Sequence, residues 1–282
     1  MRLLEAGMRG LDLAKGKDYV FETRWANSDS SRFPALAAEL LAGKPSAVVV
    51  GTILAVKAAQ NLTRTVPIIM TGMNDPVAAG LVASLARPGG NITGVSTMAE
   101  VVLLKLIEIM REALPDARRL TVMTNPTNPS NQPMVDALVR HVADKDLTIA
   151  TVSVGAPADL DAAFVEMPRQ HPDALFVLTD NSLQALAKPI VERALAQRVP
   201  TFANLGDTYA HAGALFDYSR DPTEAFNSVA RLLKKVLAGA AVADPAVEQP
   251  TKFNLLINLK TAKTLGIALP PLLFARADEV IE

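Results

Sequence analysis

The sequence predicts an α/β protein built from parallel sheets with helices on both faces. Short runs of strand length alternate along the chain with longer segments of helical periodicity. Several runs are apolar at every position, which is typical of strands buried on both faces of a parallel sheet. Four of them lead directly into small or polar turn-forming residues followed by a predicted helix: 47–50, 67–70, 120–123 and 174–178. This alternation is the pattern of doubly wound sheets.

The first hundred residues contain the predicted elements of one such sheet. A short amphipathic helix opens the chain, and residues 19–25 alternate as an exposed strand does. Gly43 and Pro45 end the helix that follows, and residues 87–91 form a strong turn. The remaining helices are predicted over 34–41, 54–61 and 76–85, and the remaining strands over 47–50, 67–70 and 92–95.

The rest of the chain repeats the alternation and then departs from it. Helices are predicted over 101–114, 132–143, 158–167 and 183–197, and strands over 119–123, 148–154, 174–178 and 200–203. After these, the tail holds a strand at 214–218, a long helix over 222–238, a linker over 240–250, a strand or helix start at 253–259 and a final short helix after Pro270-Pro271.

Composition excludes several classes of function. The 282 residues include 28 basic and 29 acidic side chains, so no net field attracts nucleic acid or an anionic membrane, and no nucleic-acid partner is expected. Cysteine is absent, which excludes disulfides and thiolate metal sites. No apolar stretch approaches the roughly 18 residues that span a bilayer.

The sequence contains none of the catalytic or nucleotide-binding motifs that would indicate an enzyme or a bound cofactor. His141, His171 and His211 lie on separate predicted elements without the spacing of metal ligands. We therefore expect a binding protein with no catalytic residues, no metal and no cofactor.

Polar and turn residues at the strand ends are the candidate ligand-binding groups. Ligands of parallel sheets bind beyond the carboxyl ends of the strands, where helix N-termini favour a carboxylate. An acidic side chain on the opposite wall can hold an ammonium group. For each polar residue the alternative is a simple helix cap, and for the aromatic residue it is a place in the core. The candidates are Thr52, Thr71, Gly72, Met73, Asn74, Asp75, Asn125, Asp180, Asn181, Asp207 and Tyr209.

Within this set the expected roles differ. Thr52 and the backbone around 71–74 are expected to receive a carboxylate, because they end two strands with helix N-termini behind them. Asp180 or Asp207 is expected to face an amine or another donor, because each follows an apolar strand.

Several long motifs resemble one protein family. They lie at 19–26 (Tyr-x-x-x-x-Arg-Trp-Ala), 74–80, 85–94, 249–263 and 270–282, and they cover nearly the whole chain. These segments resemble the substrate-binding proteins of ABC transporters, in the family that includes tryptophan-binding proteins of bacterial importers.

The resemblance implies a periplasmic-binding-protein type I fold, with two doubly wound lobes, a three-segment hinge and a ligand clamped by hinge closure. The N-terminal lobe would take 1–97 plus 217–248, and the C-terminal lobe 98–216 plus 249–282. It also implies a periplasmic, monomeric protein that delivers a small organic solute, an amino acid or an aromatic or aliphatic carboxylate, to ABC permease transmembrane subunits. A cytoplasmic ligand-sensing domain on the same fold is the alternative.

The chain departs from the family pattern at its start. Members of the family begin with a signal peptide and an apolar first strand, whereas this chain opens inside the expected first helix. The first strand of the N-terminal lobe is therefore expected to be missing here, because either the start is misassigned or the product is truncated. We expect the upstream DNA to encode this strand and a signal segment, with either a free or a lipid-anchored mature form.

Overall fold

The computed structural model of the protein describes residues 1–27, 29–143, 145–240 and 245–282. Along these residues the helices are α1 (Arg2–Arg9), α2 (Phe33–Ala42), α3 (Ile53–Leu62), α4 (Ala99–Ala113), α5 (Asn131–Val142), α6 (Leu160–Glu166), α7 (Asn181–Ala185), α8 (Ala187–Ala196), α9 (Asp207–Ala212), α10 (Pro222–Leu237), α11 (Leu259–Leu265) and α12 (Pro271–Arg276). The strands are β1 (Val48–Val50), β2 (Ile68–Met73), β3 (Ile92–Ser96), β4 (Arg119–Thr124), β5 (Thr148–Ser153), β6 (Ala174–Val177), β7 (Thr201–Ala203), β8 (Phe216–Arg220), β9 (Phe253–Asn258) and β10 (Glu279–Ile281).

The chain divides into two compact units, and it crosses between them three times. Unit 1 comprises Met1–Met98 and Asp221–Lys252, and unit 2 comprises Ala99–Arg220 and Phe253–Glu282. The second crossing follows Arg220 rather than Phe216, because β8 pairs along its length with strands of unit 2. The third follows Lys252 rather than Glu248, whose backbone N–H still bonds within unit 1. Residues 241–244 of the predicted linker lie outside the described residues.

Unit 1 contains a parallel sheet in the order β1-β2-β3. Consecutive residues of a strand point to opposite faces, so β2 contributes to two cores. Ile68 and Met70 pack in a cluster with Val56 of α3, whereas Ile69 packs with Leu4 of α1 and with α10. The continuous apolar run that predicted β2 therefore reflects burial on both faces.

Two predicted elements of unit 1 do not form. Residues 76–85 make turns instead of a helix, because Asp75 and Gly80 take positive φ angles of 35° and 69° around a single helical turn. Residues 19–25 are not a strand, since the ladder contact nearest to them is an isolated Lys15–Tyr19 bridge. The ring of Tyr19 lies 4.9 Å from that of Phe21, and both pack against the α1 and α10 side of the sheet. By contrast, the predicted strands β1 and β2 do form, and they pair with each other in parallel.

Unit 2 contains a larger sheet in the order β10-β9-β8-β7-β6-β4-β5, in which β8 and β9 are antiparallel and the other neighbours parallel. A cluster with α4 and α5 covers one face around the rings of Phe176, Phe202 and Phe216, whose successive centroids are 5.4 Å apart. A second cluster with α6, α7 and α8 covers the other face. The strand order reverses at β4, which has β5 on one side and β6 on the other. The polar residues described next lie at the carboxyl ends of the strands beside this reversal of strand order.

Candidate functional site

The carboxyl ends of β4 and β6 in unit 2 bring Asn125 and Asp180 into contact. Nδ2 of Asn125 donates to Oδ1 of Asp180 at 3.1 Å, and Nδ2 of Asn128 donates to Oδ2 at 2.9 Å. The backbone N–H groups of Ser182 and Leu183 also donate to Oδ1, at 2.8 and 3.0 Å. Asp180 thus caps α7 and joins two strand ends, and four donors of its own chain surround its carboxylate.

The loop after β4 is fixed by further side-chain hydrogen bonds. Oδ1 of Asn125 accepts from the N–H and hydroxyl of Thr127, and the Asn125 N–H donates to Oδ1 of Asn131 at 2.7 Å. The buried Nδ2 of Asn131 has no partner among the described residues. Asn181, the first residue of α7, is exposed and is free of this network in the described structure.

The end of β7 forms a second polar group next to the first. The Thr179 hydroxyl donates to Oδ1 of Asn204 at 2.7 Å, and Asp207 stands exposed at the first position of α9. Tyr209 is fully buried, and its hydroxyl donates to the Leu183 carbonyl at 2.7 Å. Burial, together with the charges of Asp217 and Asp180, raises the pKa of the Tyr209 phenol. The structure therefore places Tyr209 in the core, which was the alternative to a ligand contact.

Asp217 is a functional candidate that the sequence analysis did not select. It lies on β8 opposite Ala203, the last residue of β7, and it is completely buried. Its Oδ2 accepts the Leu205 N–H at 3.3 Å, while Oδ1 has no partner among the described residues. Burial raises the pKa of the Asp217 carboxyl well above its ordinary value, although hydrogen bonds from the Ser219 side chain and the Leu205 N–H act in the opposite direction. The available signal was an acid directly after the apolar run 214–216.

In unit 1 the candidate residues gather at the ends of β1 and β2. Thr52 caps α3, with its Oγ1 accepting the Ala55 N–H at 3.2 Å. The Thr71 hydroxyl donates to the Val50 carbonyl at 3.4 Å, which ties the two strand ends together. The cap and this contact place the Thr52 and Thr71 side chains at one edge of the sheet. A helix N-terminus lies behind Thr52, as expected, but the one expected behind residues 71–74 does not form.

The remaining candidates of unit 1 follow along β2 and its loop. Gly72 takes a φ of 154° where the register with β3 shifts, and Met73 is almost fully buried. Asn74 is half-buried, whereas Asp75 is exposed and its Oδ1 accepts the Ala78 N–H at 3.0 Å. Thr97, after β3, donates its N–H to the Met73 carbonyl, and its buried hydroxyl has no partner in the part of the chain that the structure describes.

The described residues offer no group of three or more histidine, cysteine, aspartate or glutamate side chains arranged to hold a metal ion. His211 lies 3.6 Å from Glu279, and His141 lies 2.6 Å from the Lys145 ammonium. In the same residues no helix combines the length and the apolar character needed to cross a membrane.

The chain combines two α/β units, three crossings between them and polar strand ends. A family model described as "ABC transporter substrate binding protein" matches residues 3–281, and the chain belongs to this family. The resemblance of the sequence motifs is thereby confirmed. This is a family of solute-binding proteins and not of enzymes.

One relative and two solved structures are similar to this chain over most of its length. A tyrosine-binding protein of Clostridioides difficile (strain R20291) is 27% identical over 243 residues, which are 86% of this chain and 69% of the relative. A conserved domain protein from Vibrio cholerae has a TM-score of 0.93 at 24% identity, covering 99% of this chain and 93% of the other. A Streptococcus ABC domain in complex with L-Trp has a TM-score of 0.89 at 23% identity, covering 99% and 94%. The predicted periplasmic-binding-protein type I fold is confirmed.

Proposed function

We propose that this chain is the extracytoplasmic solute-binding component of an ABC importer, and that its solute is an amino acid or a related aromatic or aliphatic carboxylate. The family match over residues 3–281 carries the proposal and favours transport over ligand sensing on the same fold. The tyrosine-binding relative and the L-Trp complex support an amino acid as the solute.

The carboxylate of the solute binds to unit 1 in this proposal. Thr52 opens the ten-residue helix α3, whose first N–H groups carry the partial positive charge of a helix N-terminus. Thr71, Gly72, Met73, Asn74 and Asp75 supply backbone and side-chain groups at the neighbouring strand end. A carboxylate at this edge gains charge-assisted hydrogen bonds without any cationic side chain.

Unit 2 supplies the second set of contacts. Asn181 and Asp207 are exposed at the first positions of α7 and α9, so their side chains are accessible to a solute. Asn125 and Asp180 hold each other and the loop ends in place. Preorganised polar groups of this kind bind a ligand with little ordering cost.

The proposed mechanism involves no bond chemistry and no cofactor. A solute that binds to both units shifts the population of the protein toward a closed form, by as much as its affinities for the two forms differ. The monomeric closed form is then recognised by the transmembrane subunits of an ABC permease.

A ligand screen tests the proposal. Thermal unfolding is measured with each common L-amino acid and with aromatic and aliphatic carboxylic acids. A solute present at 100 times its Kd stabilises the folded protein by about 2.7 kcal/mol, which is a clear rise in Tm. For the solute identified, calorimetry on Thr52→Val should show about 1–3 kcal/mol of lost affinity, while Thr52→Ser retains the hydroxyl and the affinity. A screen in which no amino acid or carboxylate raises Tm rejects the proposed solute class.

A further inference from the structure

We propose that Asp217 is the residue of unit 2 that holds a protonated amino group of the solute, so that the solute carries an ammonium group. This inference deepens the proposed function and rests on it. It assigns the contact expected of Asp180 or Asp207 to a third acid, which lies inside the strand that leads to the second crossing.

The position of Asp217 is at the ligand-binding edge of the sheet. Its partner in the parallel register is Ala203, the last residue of β7, and the Leu205 N–H from the following loop reaches its Oδ2. The carboxylate therefore lies level with the carboxyl ends of β6 and β7, where α/β sheets bind their ligands. The polar residues Thr179 and Asn204 are at the same edge.

The hydrogen bonding of Asp217 is incomplete in either protonation state. Its Oδ1 is buried without a partner among the described residues, although the Ser219 side chain and the Leu205 N–H both hydrogen-bond to the carboxyl group. In either protonation state, Oδ1 is removed from water without a hydrogen bond of its own. This arrangement destabilises a fold, because a desolvated polar group without a hydrogen bond is unfavourable. A buried polar atom without a hydrogen bond is unusual in a folded protein, and such exceptions are typical of functional sites.

The neighbouring acids are less suited to bind an ammonium group. Four donors of the chain already surround the carboxylate of Asp180. Asp207 is exposed, so water weakens any ion pair that it forms. Asp217 combines a free oxygen with complete burial, and a charge-assisted hydrogen bond is strongest where the local dielectric is low. A nearby ammonium group would also oppose the effect of burial on the pKa of Asp217.

The test compares solutes that differ only in the amino group. The probes are L-tryptophan with indole-3-propionate, L-tyrosine with 3-(4-hydroxyphenyl)propionate, and L-leucine with 4-methylpentanoate. Calorimetry measures their affinities for the full chain, for Asp217→Asn and for Asp116→Asn. The first variant keeps the size and the acceptor for the Leu205 N–H but removes the charge. The second removes an exposed acid before β4, at the opposite edge of the sheet, and serves as the control.

The proposal predicts that the native chain binds the amino member of at least one pair about tenfold or more tightly than its deaminated partner. Asp217→Asn should lose about tenfold or more for the amino member and less than about threefold for the partner, and Asp116→Asn should match the native chain. If the native chain binds both members equally in every pair that it binds, or if Asp217→Asn keeps the full preference, Asp217 does not hold an amine and the proposed function stands. If no probe and no other carboxylate binds to the native chain, the proposed function itself fails.

Discussion

Gly94 is the position in unit 1 where a single methyl group should be most damaging. It lies on β3 directly opposite Met70 of β2, with a φ of 142°. A Cβ built at Gly94 would lie 2.3 Å from the Met70 carbonyl oxygen, 2.4 Å from its nitrogen and 2.7 Å from its Cα. All three are backbone atoms of a buried strand, so no side-chain rotation relieves the contact.

The size of the effect follows from these distances. Ordinary contacts begin near 3.4 Å, so β3 has to move away from β2 by 0.7–1.1 Å. That movement strains the ladder on one side and, on the other, the bond in which the Glu248 N–H donates to the Gly94 carbonyl at 2.8 Å. Overpacking of this kind costs about 1–3 kcal/mol, and a positive φ in a residue with a Cβ adds about 1–3 kcal/mol. Gly94→Ala should therefore lower the free energy of unfolding by about 2–6 kcal/mol.

Gly90→Ala provides a matched control, because Gly90 has a nearly equal φ of 144° with no atom within 4 Å of the added Cβ. Urea unfolding followed by circular dichroism gives the free energy of unfolding of both variants and of the native chain. The control shares the backbone strain but not the clash, so it should lose about 1–3 kcal/mol only. If the two variants lose the same free energy within about 0.5 kcal/mol, the steric reasoning is refuted.

Three further predictions concern unit 2 and the response to ligand. Because the pKa of Asp217 is raised in the folded state, its contribution to stability is fully present below its ordinary pKa of 3.8 and is lost as the pH rises through the folded-state pKa. Asp217→Asn should therefore be about 1–3 kcal/mol more stable than the native chain at neutral pH and equally stable in acid. Unfolding experiments at a series of pH values measure this difference. The titratable neighbours Asp207, Tyr209 and Asp180 are common to both proteins, and an advantage that grows in acid would contradict this sign. Tyr209→Phe should cost about 0.5–1.5 kcal/mol through the lost hydrogen bond and leave solute affinity unchanged, whereas a tenfold weaker Kd by calorimetry would restore Tyr209 as a ligand contact. Solution scattering should give a smaller radius of gyration with saturating solute than without it, and identical profiles would argue against closure.

The strands could be predicted from the sequence because burial on both faces leaves a continuous apolar run. Such runs marked β1, β2, β4 and β6 to within a few residues. The helix predicted over 76–85 was wrong because its apolar pattern says nothing of the positive φ angles at Asp75 and Gly80. The strand predicted over 19–25 was wrong because a strand also needs a hydrogen-bonding neighbour, which polarity alternation along the chain does not reveal.

The sequence predicted which polar residues meet at the strand ends, but not the contacts that they make there. Selecting strand ends identified Asn125 and Asp180, which are 55 residues apart and joined by a hydrogen bond at the reversal of strand order. Choosing residues at strand ends does not show whether an acid already accepts all its hydrogen bonds from its own chain or still has a free oxygen. That depends on donors from other loops, such as Asn128, which donates to Asp180. Asp217 escaped selection because it is buried in the interior of the sheet, between Ala203 of β7 and Leu256 of β9, and these strands are neighbours only in the folded unit.

Comparing Asp180 with Asp217 shows why an acid's partners, rather than its place in the sequence, decide its role. Asp180 has four donors within its own unit, so its carboxylate strengthens the fold and fixes the loops after β4 and β6. The carboxyl of Asp217 has hydrogen bonds from the Ser219 side chain and the Leu205 N–H, but its buried Oδ1 has no partner among the described residues, so the same chemical group weakens the fold until another donor arrives. A variant that gains stability and loses affinity for amino solutes is therefore the specific signature expected at Asp217, since a purely structural acid would not couple the two changes.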